Sequence, residues 1–188
     1  MLFEFPELRC YLRISGFDAS ASDVAAILQA VQDKFPRVAI QLVDIDRVPG
    51  SRFLLHAVFN AWKSFHSGDP ISRTLGMEIL LFVAANSQIS EAIKAVGVTS
   101  NTRKIAAVLA GPSREEVSAA ADFLSNLLRG QGRDELLEEW SPERIQNVRF
   151  AYQIGGREFK ATARKGEEIV KVIERLAIER SALLAIRK

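Results

Sequence analysis

Cysteine is almost absent. Cys10 is the one thiol in 188 residues, so no disulfide can close within the chain, as expected of a reducing compartment. Histidine is nearly as scarce. His56 and His66 lie ten residues apart in one helical stretch, roughly 15 Å along its axis, too far to share a metal ion. Neither sign of charge dominates: 25 basic against 23 acidic residues leave a net charge of +2. That excludes a polybasic nucleic-acid binder and moves the question to local charge. No apolar run approaches the ~18 residues of a membrane span. The opening MLFEFPELRC carries acids and a proline, so it does not read as a signal peptide. The expectation is a soluble, cytoplasmic protein with no membrane partner.

Catalytic signatures are missing as well. There is no phosphate loop, and Gly130-Gln131-Gly132 lacks the strand that a dinucleotide fingerprint must follow. Cys10 falls on the inward face of an alternating strand and reads as a core residue. Asp44 and Asp46 are two apart at a strand end, as in a carboxylate pair for a metal-dependent enzyme. No third ligand or base accompanies them, and a solvated loop has the same pattern. No catalytic set, metal or cofactor is expected.

Apolar residues make up 48% of the chain and charged residues 26%, enough for a buried core in one domain over residues 1–188. Residues 9–15 alternate, with Cys10, Leu12 and Ile14 on one face. Residues 22–34 form an alanine-rich helix stopped by Pro36, and residues 38–43 a second strand. Helices follow over 51–66, 71–84 and from about Ser87 to Gly97, the second apolar nearly all round and therefore internal. The continuous apolar run 105–110 reads as a central strand. Ser113 and Glu116 form a capping box for a helix with the stripe Val117, Ala120, Leu124 and Leu127. A short helix falls within 133–144, another follows Pro142, and Gly155-Gly156 is a turn. The last helix, 167–184, turns Ile169, Val172, Ile173 and Leu176 inward. The class is α+β: a small mixed β-sheet covered by several helices.

Four features suggest binding. Arg52, His56, Asn60 and Lys63 form one polar stripe on an otherwise apolar helix; it holds no acid and suits phosphates, although an ordinary solvent face looks similar. Gln88, Ile89 and Ser90 open a helix, where an amide, a hydroxyl and free backbone N–H groups can grip an anion or base. Capping by Ser87 with Ile89 and Ile93 in the core is the plainer alternative. The region 149–166 carries Arg149, Arg157, Lys160, Arg164 and Lys165 against Glu158, interleaved with Phe150, Tyr152 and Phe159. It reads equally as a solvated hairpin or loop and as the contact of a free-standing RNA-binding module. The apolar ending Ala182-Leu183-Leu184-Ala185-Ile186 either packs inward or is offered to a partner.

Three stretches together resemble a known family. They are Leu55-His56-Ala57 with Asn60-Ala61; Pro70-Ile71, Met77-Glu78-Ile79-Leu80, Gln88-Ile89 and Glu91-Ala92-Ile93-Lys94 up to Gly97; and Glu174-Arg175, Glu179-Arg180 with Ala182-Leu183-Leu184. In this order they are similar to the small kinase-binding subunit of the KEOPS complex, in its archaeal form. The resemblance implies a non-catalytic α+β subunit that binds a small atypical protein kinase and meets the other KEOPS subunits indirectly. It implies recruitment of tRNA by its CCA end for N6-threonylcarbamoyladenosine formation. Carried onto this chain, the tRNA contacts are His56, Lys63, Arg73, Gln88, Ile89 and Ile93, and the partner contacts Leu183, Leu184 and Ile186. Where the family often has a small-Gly stretch and a basic residue before the Gln-Ile pair, this chain has Ala84, Ala85, Asn86 and Ser87. That places local phosphate contact in question and shifts weight to Lys63 and Arg73.

Overall fold

The computed structural model describes residues 1–130 and 132–186; Gln131, the middle residue of the Gly-Gln-Gly stretch, lies outside the described residues. The apolar run read as a central strand is β4 (Lys104–Gly111), flanked by β2 (Cys10–Asp18) and β3 (Ala39–Asp44). A short β1 (Leu2–Phe5) pairs with β2 and completes the order β1-β2-β4-β3. Every pairing is antiparallel, which corrects the expected mixed sheet. The apolar run 105–110 was read as a central strand, and that is the place it takes. The run is apolar throughout because helices cover both faces of this antiparallel sheet.

Along β4, side chains alternate between the two cores. Ile105, Ala107 and Leu109 join Val38, Ile40 and Leu42 beneath α1 (Val24–Lys34) and α5 (Arg114–Leu128). Ala106, Val108 and Ala110 join Cys10, Leu12 and Ile14 on the other face. There the cover is α2 (Ser51–His66), α3 (Leu75–Ala84), α4 (Ile89–Val96), α6 (Pro142–Ala151) and α8 (Ile169–Leu184). The helix α7 (Gly156–Thr162) lies against α8. Burying these aliphatic side chains, at roughly 1.5–3 kcal/mol each, is the main stabilising term. No single helix among the described residues is long and apolar enough to cross a membrane.

Several expectations shift. The second middle helix begins at Leu75 rather than residue 71, because Thr74 caps it by accepting from the Met77 N–H and residues 71–74 form a loop. The capping box on α5 is half realised. Ser113 accepts from the Glu116 N–H, but the Glu116 carboxylate pairs with Arg37 instead of reaching back. Leu128 takes the core position assigned to Leu127, which is partly exposed. Ile169, expected inward, is 53% exposed, since it is the first residue of α8 and precedes the buried stripe. Residues 156–162 are helical rather than a hairpin or loop.

Candidate functional site

Helices α2 and α3 run antiparallel. One end of the pair is marked by the hydrogen bond from Ser64 Oγ to Glu78, 2.7 Å. At the other, Phe53 meets Tyr152 edge-on, and the Tyr152 hydroxyl donates to the Val83 carbonyl at 2.7 Å. From Leu75 to Ala84 the ten residues of α3 span roughly 15 Å.

Lys63 and Arg73 lie at the first end. The α2 stripe faces outward as expected: Arg52, His56 and Lys63 are exposed and Asn60 is half-buried. Arg52 approaches Glu174 of α8 at 3.6 Å, and Lys63 Nζ sits 5.6 Å from the Phe59 ring. Although His56 is exposed overall, partial desolvation of its imidazole, with help from Arg52, holds its pKa below the ordinary value. Arg73 is exposed on the 71–74 loop, which is tied down by the fully buried Glu78. That carboxylate accepts from the Ile71 N–H at 3.0 Å, the Ser72 N–H at 2.8 Å and Ser72 Oγ at 3.0 Å.

Gln88, Ile89 and Ile93 lie at the second end, where α3 and α4 meet at a bend of 64°. Gln88, not Ser87, is the N-cap of α4, and its side chain makes no capping bond. Ala92 and Val96 bury α4 against the core, leaving Ile89 45% and Ile93 47% exposed on the outer face. The core alternative for this pair is thereby corrected. Ala85, where the resemblance implies glycine, adopts the left-handed conformation with φ 52° and ψ 37°. Lys63 and Arg73 thus each adjoin a residue hydrogen-bonded to Glu78, Ser64 and Ser72 respectively, whereas Gln88 and the two isoleucines lie beyond the other end of α3.

Beside the second group is a cleft of about 940 Å³ whose wall includes Asn86, Lys94, Arg149, Phe150 and Leu184. It draws on α4, α6 and α8, which are distant in sequence, so no local pattern announced it. At the chain's end, Leu184 is only 7% exposed and belongs to the core, Leu183 is half-buried, and Ile186 is 79% exposed.

The carboxylate pair leads elsewhere. Asp44 Oδ1 accepts from the Asp46 N–H at 3.0 Å, and Oδ2 accepts from Thr102 Oγ1 at 2.9 Å and lies 3.6 Å from Arg47. Burial raises the Asp44 pKa. These oxygens are used in closing the turn after β3. Among the described residues no cluster of three or more His, Cys, Asp or Glu side chains could hold a metal ion.

No curated protein matches the chain. A family model described as kinase binding protein CGI-121 matches residues 19–185. That span takes in β3, β4 and all eight helices described, with both candidate groups and the end of α8. The chain belongs to the kinase binding protein CGI-121 family.

Proposed function

We propose that this protein is a non-catalytic, cytoplasmic KEOPS subunit of archaeal type. It docks a small atypical protein kinase and brings tRNA to the complex by its CCA end, for N6-threonylcarbamoyladenosine formation. The accessory, kinase-binding role follows from membership in the family. The carrying observation for RNA is the exposed Ile89–Ile93 pair next to the uncommitted Gln88 side chain. Unstacked bases of a free 3′ end are read by apolar contact and by hydrogen bonds to their edges, and Gln88 offers both donor and acceptor. The strand's phosphates run toward Lys63 and Arg73, with His56 on the same side of α2.

The test is tRNA binding, with intact tRNA compared against tRNA lacking its CCA end. Intact tRNA should bind more tightly to the wild type, and Gln88→Ala with Ile93→Asp should remove that advantage. Lys63→Glu and Arg73→Glu should weaken binding and flatten its salt dependence. Equal binding of truncated and intact tRNA contradicts end capture.

A further inference from the structure

Charges around α7 are sorted by sign. Glu158 turns inward and receives both guanidinium nitrogens of Arg180, at 2.7 and 2.9 Å. Glu167 does the same for Arg175, at 2.9 and 3.1 Å. Arg157, Lys160, Arg164 and Lys165 are all exposed, and among the described residues none of their side chains forms a close ion pair, although the Arg164 backbone N–H donates to Glu167 at 3.0 Å. Arg157 and Lys160, three apart on α7, share one side of the helix. The local excess of basic residues is thus a face on which cations stand outward while their acidic neighbours are neutralised from behind.

We propose that the outward face of α7 and the turn after it contacts the phosphate backbone of duplex RNA. Cations without accompanying acceptors position a backbone but read no base. Single-strand binding needs aromatic platforms, and Phe159, the ring on α7, is half-buried with the Arg149 guanidinium 5.6 Å from its centroid. Membrane-surface helices carry large apolar side chains beside their cations, whereas the exposed apolar residue on α7 is Ala161. Duplex RNA presents its backbone and 2′-hydroxyls as the accessible surface, which matches a face where four exposed cations outnumber one exposed acid, Glu168, itself paired with Lys171. This surface shares no residue with the end-capture groups and does not depend on them.

The probe is a blunt RNA duplex without a CCA end, titrated with the full chain across a salt series. The variant Arg157→Gln/Lys160→Gln/Arg164→Gln/Lys165→Gln should melt like the wild type, because all four side chains are in solvent. It should bind the duplex about tenfold or more weaker at low salt, with a log–log salt slope shallower by roughly 0.9 for each phosphate no longer neutralised. Gln88→Ala with Ile93→Asp should leave duplex binding unchanged, which keeps this result separate from end capture. Equal duplex binding by the quadruple variant and the wild type overturns the proposal. So does wild-type binding to phosphatidylserine vesicles or polyglutamate without binding to the duplex.

Discussion

Arg144 heads the largest side chains that the fold hides completely. Among the described residues no carboxylate forms an ion pair with it. Its guanidinium donates to the carbonyls of Val48 at 3.3 and 3.0 Å, Leu136 at 3.0 Å and Leu137 at 2.9 Å, and to that of Glu139. It also stacks 4.8 Å from the Trp140 ring. Burial lowers its pKa, and nearby Asp46 and Glu138 resist the shift. One side chain thus ties the turn after β3 to the 134–139 segment. Arg144→Ala strands several buried carbonyls, and urea unfolding should show a loss of about 3–5 kcal/mol. Arg144→Lys should not restore the loss, since an ammonium cannot reproduce the planar fork. A loss below about 1 kcal/mol would contradict this reading. His56 makes a pH prediction. Its folded pKa lies below the ordinary 6.5, so it is neutral at pH 7 and gains charge only as pH falls below that value. RNA affinity should therefore rise on acidification in the wild type and rise less in His56→Gln. Parallel pH profiles would remove His56 from the RNA contact. Cys10 behaves as its place in the alternating strand implied: burial pushes its thiol up to about 12, so it is no nucleophile at neutral pH.

At the scale of elements, strands and helices with a strong period were readable from sequence. In β2 the alternation of Cys10, Leu12 and Ile14 matches the face they occupy, and α2 keeps its polar stripe outside. Elements that depend on a distant partner were not readable. β1 has four residues, and only its register with β2, such as Phe3 opposite Leu12, makes it a strand. α7 has no apolar stripe of its own and is held through Glu158 and Arg180. The late start of α3 depends on Glu78, whose carboxylate reaches back to the backbone of Ile71 and Ser72. Glu78→Gln replaces one acceptor with a donor facing those N–H groups. The expected cost is about 1–3 kcal/mol, with hydrogen-exchange protection lost first at Ile71 and Ser72. Unchanged protection there would mean that Glu78 does not hold the loop. The end of α3 carries the opposite defect. Ala85 sits in a conformation that costs an L-residue roughly 1–2 kcal/mol, and Gly is the natural resident. Ala85→Gly should stabilise the protein by about 0.5–1 kcal/mol, after the glycine's extra unfolded-state entropy is subtracted. A destabilised Ala85→Gly would contradict the strain.

At the scale of the whole molecule, one sheet carries two cores, and the residues proposed for binding gather on the face covered by α2, α3, α4 and α8. The exposure of the candidate residues was partly readable, because polar stripes and helix starts are local patterns. Their division across the length of α3 was not, because it depends on how α2 packs against α3. Nor was the separation of Leu184 from Ile186, two residues apart yet one in the core and the other in solvent. That separation makes the partner contact testable without unfolding the protein. Leu184→Glu would place a charge in the core, at a cost of several kcal/mol, whereas Ile186→Glu should leave the melting temperature unchanged. The most direct measurement is a calorimetric titration of a small atypical kinase with the full chain and with Ile186→Glu. Wild-type protein should bind saturably, one to one, and Ile186→Glu should bind at least about tenfold more weakly, some 1.4 kcal/mol. Absence of saturable binding by the wild type would contradict the kinase-binding account.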